Sequence, residues 1–232
     1  MNFAPYHRFA RCNALERLIT SLRQQGAVPD DVFEGFQRYH YSLVHKLRSA
    51  RYHVDTMRDY LGAQQTQPTA SQDVVYRVNY HFDGFTHVVG SAMDIFAREA
   101  MTYFGLTLPD NAYFNTAHSE IASARPGDPI LALIDTPAWR SEFSDYRNTA
   151  THESIVTTRF QIEYEVLGHD ESRRMVFPLP DDPRAVLAGR TFQRNPNVVQ
   201  YCEMTFTRVL RLFNVAYQHL CRRIQAAGRL PI

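Results

Sequence analysis

The sequence predicts a mainly α fold, an antiparallel helical bundle with a small appended β-hairpin, and three observations carry that prediction. Apolar residues recur in 3-4 alternation along three stretches, each long enough for about eight helical turns. A shorter stretch near residue 160 alternates apolar and polar residues with a period of two, the pattern of a half-buried strand. The connections between these stretches are short, which favours antiparallel neighbours. With 232 residues, 44% hydrophobic and 21% charged, the chain can bury a full core and has a globular composition. We read it as a single domain over residues 1–232, with the hairpin at about 155–180.

Taken in order, a short helix around Asn13 to Gln25 comes first, and Gly26 and Pro29 punctuate the chain after it. Asp30 is an N-cap for the first long helix, whose stripe is Phe33, Phe36, His40, Leu43, Leu47, Ala50, Val54, Met57 and Leu61. Gly62 and the polar run Gln64 to Ser71 end it. The second long helix runs from about Gln72 to Phe104 on Val75, Val78, Phe82, Phe85, Val89, Ala92, Phe96 and Tyr103, with one imperfect step at Glu99. Gly84, Gly90 and Ser91 lie off that stripe and would let a neighbouring backbone approach, and Gly105 is a stop. Thr107 to Asp135 is mixed, with a short helix near Asn115 to Ser123.

Thr136-Pro137 reads as an N-cap and first-turn proline opening a helix with Trp139, Phe143, Tyr146 and Ala150 on one face. That helix should run out near His152, before the β-branched run from Ile155 to Thr158. Phe160, Ile162, Tyr164 and Val166 then alternate with Gln161, Glu163 and Glu165; Gly168-His169-Asp170 makes a turn, and Arg174 to Leu179 returns as a strand. The acidic polar face of this hairpin would repel phosphate, which suits decoration or a dimer arm. The last helix begins near Pro196 and carries Val199, Cys202, Phe206, Val209, Phe213, Ala216, Leu220 and Ile224, with Gly228 and Pro231 closing the chain.

The totals exclude several function classes. Net charge is +1, so a phosphate-binding surface has to be a local patch. Lys46 is the only lysine against 24 arginines, a bias that suits phosphate but that coding composition explains equally well. Cys12, Cys202 and Cys221 are odd in number and lack metal-ligand spacing, which suits a reducing compartment. Met1 to Ala10 has no continuous apolar segment and no stretch approaches membrane-spanning length, so a cytoplasmic protein is expected, with no membrane partner. Neither Glu-x-x-His, HExxH, Cys-x-x-Cys, GxSxG, a Walker loop nor GxGxxG occurs, and we expect no metal and no cofactor. His40, His81 and His87 read as hydrogen-bonded histidines at a core edge.

One motif survives. Arginine followed by histidine five to seven residues later occurs three times, as Arg38/His45, Arg48/His53 and Arg147/His152, about the number chance supplies in this composition. Only Arg147 is followed by asparagine, and only it sits at a helix end. The stretch from Trp139 through Arg147-Asn148 to His152 resembles the signature of HEPN domains, helical proteins marked by an arginine, a polar residue and a histidine five to seven positions on. The context is similar too, covering roughly Asp30 to Gln225: two long helices, a helix ending in the motif, then a closing helix. On a continuous helix Arg147 and His152 would point about 140° apart. Either the helix breaks near Thr149 to Thr151, or the two side chains converge with residues from another subunit.

Cleaving RNA without metal needs a base for the 2′-hydroxyl proton, an acid for the leaving 5′-oxygen and a cation for the phosphorane charge. The HEPN resemblance implies His152 as acid/base, Arg147 as phosphate clamp and Asn148 as positioning group, in a homodimer that brings two motifs together. Asp94, on the off-stripe side of the second long helix, is a candidate to orient Arg147. HEPN toxins paired with nucleotidyltransferase antitoxins often carry a tyrosine two residues after the histidine, where this chain has Ser154, which speaks against a toxin–antitoxin role of that kind. The expected function is therefore a metal-independent endoribonuclease acting on RNA as a homodimer. The alternative is a non-catalytic HEPN-like module that binds a protein or nucleic-acid partner in stress or defence. In a purely structural role, Arg147 would pair with Asp145 or Asp94 while His152 closed carbonyls at the helix end. A small-molecule sensor would instead use the aromatic interior of Phe82, Phe85, Phe96 and Trp139, residues whose spacing also makes plain core.

Overall fold

The structure is a computed structural model that describes residues 10–63, 72–106, 113–135, 138–153, 155–157, 159–167, 170–194 and 197–228. It is mainly helical with one small two-stranded antiparallel sheet. In chain order the helices are α1 (Ala10–Gln24), α2 (Asp30–Ala63), α3 (Gln72–Tyr103), α4 (Phe114–Ala124), α5 (Pro129–Ile134) and α6 (Ala138–Asn148). A π turn (Thr149–Glu153), strands β1 (Gln161–Leu167) and β2 (Asp170–Val176), a short 3-10 turn (Leu187–Gly189) and α7 (Val198–Ala227) complete it. No helix among the described residues is long and apolar enough to cross a membrane.

Local chemistry sets the helix ends. At Gly26, φ is 73°, and the Ala27 and Gly26 amides donate to the Leu22 and Arg23 carbonyls, closing α1 with a left-handed cap. Gly105 (φ 62°) does the same after α3, through Leu106 and Gly105 to Met101 and Thr102. Asp30 and Asp31 place negative charge in the first turn of α2. The helix α5 was not expected from the mixed stretch that contains it. The Asp128 carboxylate accepts the Ile130 amide at 3.0 Å, and Pro129 takes the first helical position, a start signal hidden among other prolines. The Thr136-Pro137 cap, the Gln64 to Ser71 run, the Gly168-His169 turn, Ser154 and Pro196 lie outside the described residues.

The chain forms two compact units: Met1–Leu47, Ser91–Pro137 and Thr207–Ile232 make one, and Arg48–Gly90 with Ala138–Phe206 the other. Each long helix contributes residues to both. In the first unit, Phe96 stacks on Phe213 at 4.6 Å between centroids and meets Phe114 and Tyr217. The imperfect stripe position, Glu99, is fully buried there. Its carboxylate takes the Tyr103 hydroxyl and His40 Nδ1, each at 2.9 Å, and the Tyr217 hydroxyl. Desolvation of one carboxylate costs several kcal/mol, and three polar partners offset it. His40 is thus core rather than core edge, whereas His87 is exposed. Burial also pushes the Cys12 thiol far above its ordinary range, as it does for Cys202 in the second unit.

The second unit packs Phe82 against Tyr146 and Tyr201, with Val54, Phe85, Phe177 and Phe206 buried beside them or elsewhere in its core. Phe82 and Phe85 are buried in this unit, and Phe96 is buried in the first. Three expectations need correction. The α3 and α7 stripes begin at Val74 and Val198 rather than Val75 and Val199, because the buried residue is the one that keeps four-residue spacing to Val78 and Cys202. The return strand is Asp170–Val176, not Arg174 to Leu179. Its register runs from Gln161↔Val176 to Leu167↔Asp170, since backbone pairing extends into residues with no apolar alternation. Met175, Val176, Phe177, Pro178 and Leu179 are instead buried consecutively.

Candidate functional site

The motif helix α6 is anchored from several directions within the second unit. Phe143 and Tyr146 are buried, and the Tyr146 hydroxyl donates to the Pro180 carbonyl at 2.5 Å. Burial, with the Glu142 charge next, pushes the Tyr146 phenol well above its ordinary value, so it stays a donor. Glu142 on the outer side of α6 accepts from Arg194 at 2.9 Å. Asp181 organises the loop that supplies Arg194: its carboxylate accepts the Thr191 hydroxyl and the Gln193 and Arg194 amides at 2.7–2.8 Å. Those bonds hold the Asp181 carboxyl below the usual carboxylate range.

The helix leaves α geometry inside the motif. After Asn148 the chain widens into the π turn Thr149–Glu153, and the buried face passes to Thr149 instead of Ala150. A turn closed by i→i+5 bonds brings residues five apart nearer to one side than an α turn does, and single π turns cluster at functional sites. Arg147 is half-buried, and Asn148 and His152 are exposed. Within its own unit and among the described residues Arg147 makes no hydrogen bond or ion pair, and Asp145, one candidate carboxylate, faces Arg184 at 3.6 Å. The exit from the π turn is clamped to α3. Asn79 Nδ2 donates to the Thr157 carbonyl at 2.8 Å, and the Thr157 amide donates back to Asn79 Oδ1 at 3.0 Å.

The off-stripe glycines of α3 admit side chains, not a backbone. A Cβ at Gly90 would stand 2.7 Å from Arg147 Nε, and one at Gly84 2.7 Å from His53 Nε2. The arginine of the motif therefore lies flat along α3 where the helix has no side chain to displace it. Asp94 belongs to the first unit, where it accepts the Phe114 amide at the start of α4 at 3.2 Å and lines an open groove with Arg38, Ser91, Arg98 and Tyr113.

Sequence reasoning missed Asn79, Asp181 and Arg190. Arg190 is nearly inaccessible, and its guanidinium donates to the carbonyls of Ala185, Ile155, Val156 and Pro183. It ties the loop before α7 to the segment leaving the π turn. A buried arginine satisfied by carbonyls has no signature in spacing, because its partners are backbone atoms. Comparison with family models, curated proteins and solved structures gave no match.

Proposed function

We propose that the protein is a metal-independent endoribonuclease of HEPN type that acts as a homodimer. The reading rests on one observation: the helix carrying Arg147, Asn148 and His152 changes to a π turn within the motif, leaving asparagine and histidine exposed and the arginine laid along Gly90. In this reading His152 of one subunit takes the 2′-hydroxyl proton as the oxygen attacks phosphorus. The bond to the 5′-oxygen breaks, and that oxygen receives a proton from the second His152, leaving 2′,3′-cyclic phosphate and 5′-hydroxyl ends. Arg147 neutralises the phosphorane oxygens, and Asn148 orients the phosphodiester. One chain supplies one such histidine, which is why a two-fold pair is part of the proposal.

The test is incubation of the purified full chain with structured and unstructured RNA in chelator. Cyclic-phosphate ends that appear with wild type and fall about 10²-fold or more in His152→Ala and Arg147→Ala support the reading. Cleavage unchanged in both variants removes the site assignment. RNA or protein binding without cleavage favours the non-catalytic module instead.

A further inference from the structure

Away from the motif, in the same unit, two half-buried histidines from different helices face each other. His53 of α2 and His81 of α3 place their Nδ1 atoms 3.1 Å apart, with ring centroids at 5.4 Å. The space for this pairing is built in. At Gly84, one turn along α3 from His81, an added Cβ would lie 2.7 Å from His53 Nε2 and 3.0 Å from Nδ1, so only glycine lets the ring sit there. The exposed rings of Tyr52 and Tyr80 flank the pair.

We propose that His53 and His81 form a chelating pair for a divalent transition-metal cation of the Zn²⁺ class. Metal–imidazole bonds of about 2.0–2.1 Å drawn from nitrogens 3.1 Å apart meet at an angle of about 100°, between octahedral and tetrahedral values. Imidazole suits this class of ion, and the half-exposed setting leaves water to complete the shell. Without a metal, one ring's Nδ1–H donates to the other's Nδ1; on binding the cation that ring gives up its Nδ1 proton to solvent and takes one from solvent at Nε2, so both rings ligate as neutral imidazoles through Nδ1 and no net proton is released. Both rings are held in the neutral, ligand-competent form. Burial followed by the neighbouring histidine lowers the His53 pKa, and burial followed by Arg77 lowers that of His81. Arg77 itself is engaged by Asp73 at 2.9 Å and by the Tyr60 ring, which tempers its repulsion of a cation. The sequence search for metal spacing could not find this pair, since its members lie 28 residues apart on two helices.

Titrating the full chain with Zn²⁺ against a chromogenic chelator tests the site. One ion per chain is expected, with affinity falling at least about 10-fold in His53→Gln, His81→Gln and Gly84→Ala and unchanged in His87→Gln. Nitrogen-15 NMR of the wild type gives a second readout that needs no variant: Zn²⁺ should shift both Nδ1 resonances and leave both rings as Nε2–H tautomers, where the metal-free pair has one ring protonated at Nδ1. Zinc affinity equal in all variants, or Nδ1 signals unmoved by zinc, overturns the proposal.

Discussion

Substituting Gly90 with alanine should uncouple activity from stability. The new Cβ would stand 2.7 Å from Nε, 3.0 Å from Cδ and 3.1 Å from Cζ of Arg147. Comfortable heavy-atom contacts are about 3.5–4.0 Å, so the side chain must withdraw by roughly 1 Å. An arginine is flexible enough to do this for about 0.5–1.5 kcal/mol of rotamer cost. Alanine in place of a mid-helix glycine returns roughly 0.5–1 kcal/mol. The two largely cancel, and at about 2–4 °C per kcal/mol the Tm should stay within about 4 °C of wild type. Catalysis has no such compensation, because misplacing a positioned group by about 1 Å costs on the order of 10²-fold. The assay is kcat/KM on a fluorogenic RNA in chelator, alongside thermal unfolding. Gly90→Ala should lose about 10²-fold, and in an Arg147→Ala background the same change should cost nothing more. A folded Gly90→Ala protein with wild-type kcat/KM would refute the idea that the guanidinium's place over α3 matters.

Three further outcomes follow from the packing. Glu99→Ala strands His40, Tyr103 and Tyr217 in the core and should cost about 3–5 kcal/mol in urea unfolding; a loss below 1 kcal/mol would mean the network is not formed. Arg190→Lys keeps the charge but replaces a planar fork with a point donor that cannot serve four carbonyls, so stability should fall by about 2 kcal/mol or more in the same measurement. His53 and His81 have pKa values below the ordinary 6.5, so the unfolded chain binds protons first as pH drops. In chelator, stability should be full above about pH 6.5 and decline as pH falls through the folded-state values, a decline that His53→Gln/His81→Gln flattens; equal slopes in both proteins would contradict the shifts.

Much of the fold was legible in the residues. The stripes of α2, α3 and α7 repeat every three to four residues, and burial follows them from Phe36 to Leu61, Val78 to Tyr103 and Cys202 to Ile224. That works because helical periodicity records only which side faces water, a property each segment carries by itself. Alternation likewise announced β1, and the position of Arg147-Asn148 near a helix end is legible in the residues alone. What the periodicity could not report was which side chains from distant segments meet. Glu99 looked like a flaw in a stripe until His40, 59 residues away, and Tyr217, 118 residues away, were seen to satisfy it. Gly84 and Gly90 looked like sites for a passing backbone until His53 and Arg147 filled them. The widening of α6 at Thr149, the Asn79 clamp on Thr157 and the Arg190 bonds to four carbonyls are also decided only by packing. Local sequence sets propensity and face, whereas a buried polar group finds its partner only once separate segments are held at hydrogen-bonding distance.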